Sequence, residues 1–416
     1  MCTTIVVGRN RSETGRVILA HSEELGRNSA HRVSVVPARD VTPGERFPLH
    51  SGGDIAQPGR LARHLCTRIF DKRHFPGDHT SGINEHGVAV ANNMSMMRGV
   101  PESRMFDVVS GGVIWTEFLQ LVLERATSAR EGVALVAEAC ERHGLSCDSG
   151  TMIAVADANE AWWVELAREG HWAAERVGDD EVSVRANCYR IRDFADAFGD
   201  PANQQDRYNL DRHEFLDLRL SALPALSASG LMALLREVYE GTPLYLERPD
   251  GSPFRTEVRT IARLNTEACT VIEPREGGAA RLAHLMWCCL STSLTGVFVP
   301  FHVGMSRVEA HYARADGRYS PDSAYWLFTE LAKLVDYRYR RCAELVLATW
   351  RVFEAETADA LAEIEGADGG AAAGAGEEGR TLSGRLTEFD VRRAADAIRV
   401  LRDLLVEVKT RAFYED

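Results

Sequence analysis

Cys2 is the residue whose position most invites a chemical reading. Methionine aminopeptidases remove Met1 when the second residue is small, and cysteine is small enough. Cys2 would then carry a thiol and a free α-amine on one residue. The reference pKa of the amine, roughly 7.7–8.0, lies just below that of the thiol, roughly 8.5. The amine can therefore accept the thiol proton near neutral pH, leaving a thiolate to attack a carbonyl and form an acyl-enzyme. The next five residues, Thr3-Thr4-Ile5-Val6-Val7, are β-branched and predict a strand. A strand starting there would fix the nucleophile at a sheet end.

Other reactive residue types are less promising. The nine cysteines are odd in number, irregular in spacing and without a CxxC. Disulfide frameworks and structural zinc are thus disfavoured, and the other eight are expected to be small buried hydrophobes. Cys288 and Cys289 fall in a strand-like run and should point to opposite faces. His86, His284 and His302 read as structural, and Trp162-Trp163 as core and sheet face. The acidic residues show no metal spacing, and there is no glycine-rich phosphate loop. No cofactor is expected.

Charge and length exclude further classes. The 416 residues carry 61 acidic and 48 basic side chains, a net charge of −13, with 45% apolar and 26% charged residues. This is the balance of a globular protein, without the basic cluster that nucleic acid requires. No apolar run approaches the ~20 residues of a membrane span. The start, MCTTIVVGRNRSETG, has no basic n-region, so the cytoplasm is the expected compartment.

The elements that must position Cys2 can be read in order. After the first strand come strands at Arg16–Ala20 and Arg32–Pro37, suggesting antiparallel pairing. Residues 38–80 read as an irregular excursion. Gly87–Asn92 is a strand. Trp115–Ala126 and Ser128–His143 repeat apolar residues at three and four, predicting two amphipathic helices. Met152–Ala156, Ala161–Leu166, His171–Val177 and Val182–Ala186 read as an antiparallel meander. Residues 208–240 lean helical, and His284–Leu290 and Gly296–Phe301 are later strands. A long helical stretch follows from Asp322 to about Glu365, with Asp322 or Ser323 as N-cap. Gly366–Gly379 is low in complexity and reads as a flexible loop. Leu386–Val408 is a one-faced helix, expected to pack as a hairpin on the body rather than to form a coiled coil. The order fits helices packed on antiparallel sheets, an α+β fold.

Several blocks carry a family resemblance: CTTIVVG at 2–8, SGINEHGVAV at 81–90, LERATSAREGV at 123–133, IAVADANEAWWVEL at 153–166, HWAAERV at 171–177, ANCYRI at 186–191, MWCCLSTSLTGVFVPFHVG at 286–304 and DSAYW at 322–326. In this collinear order the chain resembles the dipeptidase A/secernin family of N-terminal-nucleophile (Ntn) cysteine hydrolases, more distantly choloylglycine hydrolase and penicillin V acylase. The resemblance implies a four-layer αββα sandwich with a C-terminal helical extension, here a catalytic core over 1–310 and a helical region over 311–416 with a flexible loop at 366–380.

It also implies roles. Cys2 matches the nucleophile, and Asn187 the asparagine whose amide helps form the oxyanion hole, where losing one donor typically costs ~10²–10³ in rate. Asn92 and Asn93 fall where relatives contact substrate or oxyanion, with the register open by one. The family's Arg-Asn-x-Asp-like segment is replaced by His21-Ser22-Glu23-Glu24. His21 thus stands for the basic residue and Glu24 for the aspartate, and both would orient the amine and thiol. Histidine cannot reproduce arginine's bidentate grip. LSTSLT at 290–295 replaces a Gly-Pro-Pro-Cys-like stretch, a second departure.

The leading expectation is cleavage of an amide bond, in a dipeptide or N-acyl amino substrate, through a Cys2 acyl-enzyme. The departures leave an alternative, an amide-forming acyltransferase or condensing enzyme that passes an acyl group from a thioester, for example on an acyl carrier protein, to an amine. A non-catalytic, secernin-like protein is the third reading. Expected partners are small amides, peptides or thioesters, with a homo-oligomer also compatible.

Overall fold

The computed structural model describes residues 2–24, 29–71, 75–104, 107–108, 111–246, 248–254, 258–275, 280–367 and 377–414. Two antiparallel sheets form its centre. The strands are β1 (Thr3–Val7), β2 (Ile18–Glu23), β3 (Ala30–Val36), β4 (His64–Asp71), β5 (Phe75–Asn84), β6 (Ala89–Ser95), β7 (Gly150–Ala156), β8 (Ala161–Leu166), β9 (Trp172–Val177), β10 (Val182–Arg185), β11 (Ala268–Glu273), β12 (Leu285–Leu290) and β13 (Val299–His302). One sheet has the order β10-β1-β2-β11-β12-β13, the other β9-β8-β7-β6-β5-β4-β3.

Strand alternation decides what each face buries. Val6 and Leu19 of the first sheet meet Ala89, Ala91, Ala154 and Trp163 of the second in one core. The opposite faces carry Ile5, Val7, Ile18 and Ala20, packed on Phe215, Leu216 and Leu231. These belong to helices Arg207–Ser221 and Ala228–Leu234. On the far side, Val90, Ile153 and Val155 pack on Phe118, Val122 and Val136, from helices Trp115–Arg125 and Ala129–His143. The layers therefore run helix, sheet, sheet, helix: the αββα sandwich implied by the resemblance.

The C-terminal helices, Ala324–Tyr337, Tyr339–Ala367 and Glu377–Phe413, complete the molecule. Phe328, Val335, Trp350 and Leu401 share the inter-sheet core with Val33 and Phe301. The helical region has no separate core and closes the edge where β3 and β13 lie. The long stretch from Asp322 breaks at Arg338. Ser323 is its N-cap by position, but its hydroxyl donates to the Arg314 carbonyl. Of the expected loop at Gly366–Gly379, residues 368–376 lie outside the described residues, and 377–379 open the last helix.

Several expectations need correction. The excursion over 38–80 contains β4, most of β5 and two short strand pairs, 39–40 with 60–61 and 46–48 with 54–56. β4 buries Leu65, Cys66 and Ile69 but interleaves them with buried His64 and Thr67, so no clean apolar alternation marks it. The fourth run of the expected meander leaves it: β10 pairs with β1 instead of β9. β11 was not foreseen at all. β2 runs on to Glu23 instead of stopping at Ala20, because pairing with β11 continues through Glu23↔Ala268. That extension builds the site.

Candidate active site

Cys2 immediately precedes β1. Cys2, Thr4 and Val6 share the inter-sheet face, as do Leu19, His21 and Glu23 of β2, paired in register with Thr4↔His21. From the second sheet, Asn93 of β6 reaches the same face. The site therefore lies between the sheets, at their end.

The Cys2 Sγ donates to Glu23 Oε1 at 3.3 Å, and the other carboxylate oxygen, Oε2, lies 3.1 Å from His21 Nε2. His21 Nδ1 is 2.7 Å from Thr4 Oγ1, which donates to Asn93 Oδ1 at 2.5 Å. Asn93 is itself fixed, because its Nδ2 donates to the carbonyls of Arg185 and Ala186 at 3.0 and 2.9 Å. The only hydroxyl proton of Thr4 goes to Asn93, so His21 Nδ1 carries a proton and donates to Thr4. His21 Nε2 and Glu23 Oε2 share a further proton across 3.1 Å. His21 stands where the resemblance puts an Arg or Lys.

Burial would raise the Glu23 carboxyl, but the His21 hydrogen bond and the charges of His21 and His31 hold it below the usual carboxylate range. Burial, then the Glu23 charge, pushes the Cys2 thiol well above its ordinary value.

The outer helix layer grips the main chain of Cys2. Arg212, 1% exposed, sits on helix Arg207–Ser221. Its Nη1 donates to the Cys2 carbonyl at 2.9 Å and to Thr3 Oγ1 at 3.1 Å. Its Nη2 donates to Asn187 Oδ1 and Asn209 Oδ1, both at 2.9 Å. With Oδ1 so fixed, Asn187 presents its NH2 as donor, and one of those two protons goes to the Met94 carbonyl at 2.9 Å. The Ala186 N–H beside it donates to His213 Nε2 at 3.2 Å. Glu165 Oε1 accepts from the N–H of Arg190 at 2.7 Å and of Ile191 at 3.2 Å. The segment that carries Asn187 is anchored on both sides.

Glu24 is buried, accepts from Thr266 Oγ1 at 3.1 Å, and leaves Oε2 without a partner. Burial raises its carboxyl, opposed by Arg263, Arg212 and a Ser22 bond. Asn92 lies on the opposite face of β6 from Asn93, the face of Val90 toward the α-helices 115–125 and 129–143, with Oδ1 unpartnered. Cys2, His21, Glu24, Asn93 and Asn187 are thus gathered around one sheet end, and Asn92 turns away. Glu23, Thr4 and Arg212 are the site residues that sequence reasoning missed. Glu23 is two residues after His21, so strand parity was the available signal. For Arg212, the buried spacing 209, 212, 213, 216, 220 on its helix placed it on the inner stripe.

The other histidines take structural partners. His302 Nδ1 pairs with Asp390 Oδ1 at 2.8 Å, and His284 Nδ1 accepts from Arg275 N at 3.0 Å. All nine cysteines are buried and free of disulfides. Among the described residues, no helix is long and apolar enough to cross a membrane.

Comparison with known proteins places this arrangement. The chain is similar to probable dipeptidase B of Lactococcus lactis subsp. lactis (strain IL1403), 23% identical and covering 88% of this chain and 86% of that protein. It is also similar to probable dipeptidase A of Streptococcus pyogenes serotype M3 (strain SSI-1), 23% identical over 81% of this chain and 83% of that one. Among solved structures, a mutant conjugated bile acid hydrolase from Clostridium perfringens aligns with a TM-score of 0.45 and 10% identity, covering 73% of this chain and 92% of that one. The model of Peptidase family C69 matches residues 1–219 and 201–351. With most of the chain matched, the protein belongs to Peptidase family C69.

Proposed function

We propose that this protein hydrolyses an amide bond in a dipeptide or N-acyl amino compound through an acyl-enzyme on Cys2. Family membership supports amide-bond cleavage. The observation that carries the finer reading is Cys2 at the head of β1, its Sγ on Glu23 and its carbonyl held by Arg212.

Once Met1 is removed, the Cys2 amine is free to take the thiol proton. The sulfur attacks the substrate carbonyl, and negative charge collects on the carbonyl oxygen. The second Asn187 N–H is the donor offered to it. The C–N bond breaks, the leaving amine takes the proton from the Cys2 ammonium, and the acyl group stays on sulfur. Water then adds to the thioester, gives its proton to the amine, and the free acid leaves with the thiol restored. His21 and Glu23 hold the thiol in place, and Glu24 faces the terminal ammonium.

The test combines intact mass with turnover. The active protein should lack Met1, hydrolyse members of a dipeptide panel, and show an acyl adduct on the Cys2 peptide. Cys2→Ala should lose turnover and adduct. An active protein that retains Met1, or unchanged turnover in Cys2→Ala, would sink the reading.

A further inference from the structure

The same three side chains that hold the thiol form a ligand set for a soft divalent cation. Cys2 Sγ, one nitrogen of His21 and one oxygen of Glu23 all lie within 4.8 Å of one another, and all three residues are buried. We propose that the mature site binds Zn²⁺ through Cys2, His21 and Glu23, and that zinc reversibly shuts the enzyme.

The geometry is close to what zinc needs. Zinc takes sulfur, imidazole and carboxylate at roughly 2.0–2.3 Å in a tetrahedron, which sets ligand-to-ligand edges of about 3.3–3.7 Å. Cys2 Sγ stands 3.3 Å from Glu23 Oε1 and His21 Nε2 stands 3.1 Å from Glu23 Oε2, so the carboxylate bridges the other two ligands and a small turn of it offers one oxygen to the cation. The imidazole is oriented from behind, since Nδ1 is committed to Thr4 and Nε2 points inward. This is the outer-shell arrangement that fixes a metal-binding histidine. Removal of Met1 adds a fourth donor, because the amine and thiolate of an N-terminal cysteine close a five-membered chelate ring.

Charge favours a cation there. The Cys2 thiolate and the Glu23 carboxylate offset two positive charges, and Glu24 is adjacent. On binding, the thiol proton, the proton between His21 and Glu23 and one proton of the terminal ammonium leave to solvent. A second group, His64, Cys66 and His79, also brings its ligand atoms within 4.8 Å. Arg68 acts on both of its histidines as a like charge, and a bound cation would meet that repulsion without a carboxylate ligand to offset it.

The zinc site stands on its side chains whether or not Cys2 is the nucleophile, so its test does not depend on turnover. The probe is Zn²⁺ in a metal buffer, applied to full-length protein whose loss of Met1 is verified by mass. The readout is the alkylation rate of the Cys2 peptide by iodoacetamide. Zinc should slow that rate about tenfold or more, chelator should restore it, and Glu23→Gln should weaken zinc binding about tenfold or more. Cys66→Ser should leave the protection intact. Unprotected Cys2 at saturating zinc, or protection that is unchanged in Glu23→Gln, overturns the proposal. Zinc binding without hydrolysis would instead defeat the peptidase reading alone. Hydrolysis indifferent to zinc would defeat the zinc site alone.

Discussion

Arg212 Nη2 donates to Asn187 Oδ1 at 2.9 Å and thereby fixes the orientation of the Asn187 amide. The same guanidinium holds the Cys2 carbonyl. One buried cation thus ties the proposed nucleophile to the proposed oxyanion donor.

Replacing Asn187 removes a donor without removing the clamp. Asn187→Ala is expected to lower kcat by ~10²–10³ with a small change in KM. Steady-state kinetics on the best dipeptide decides it; a kcat within threefold of wild type contradicts the role.

Arg212 should matter for both folding and chemistry. Arg212→Met strands the acceptors of Cys2, Asn187 and Asn209 in a buried space. The expected loss is about 3 kcal/mol or more, read from urea unfolding. Arg212→Lys should recover little of it, because an ammonium cannot span the forked partners.

The Thr4 hydroxyl links His21 Nδ1 to Asn93 Oδ1. Thr4→Val keeps the shape but leaves Asn93 Oδ1 and His21 Nδ1 unpaired. A cost of about 1–3 kcal/mol follows. Activity should fall as well, because an imidazole no longer held at Nδ1 ceases to orient Glu23. Thr4→Ser should restore both. Equal stability of the Val and Ser variants would refute the chain of bonds.

Acid should destabilise the fold through its buried histidines. Burial lowers His64 and His284 from 6.5 to about 4, and His284 Nδ1 is already accepting a backbone N–H. The unfolded chain then binds more protons, so stability is complete above about pH 6.5 and drains as pH falls toward 4, at roughly 1.4 kcal/mol per unit for each group. Glu165 works against this. Burial raises it to about 7, so its contribution is complete below about 4.5 and is lost as pH rises through 7. Glu165→Gln keeps an acceptor for Arg190 and should steepen the acid loss. Urea midpoints at pH 7, 5.5 and 4.5 for both proteins check the sign.

Sequence by itself placed Cys2 before a β-branched strand, foresaw most strands and the two helices at 115–125 and 129–143, and aligned Asn187, His21 and Glu24 with a family pattern. Those features are local: strand and helix periods, and motifs in order. Tertiary structure decided the rest. Period two states that His21 and Glu23 share a face and that Asn92 and Asn93 do not. Which face is inner depends on the other sheet, which meets β1 through Asn93 and Thr4. The excursion over 38–80 hid its strands because buried polar side chains interrupt its apolar ones and are satisfied across the sheet, as Thr67 is by Thr80. Arg212 lies 210 residues from Cys2. Only the packing of its helix on the outer face of β1 could bring that charge to the Cys2 carbonyl.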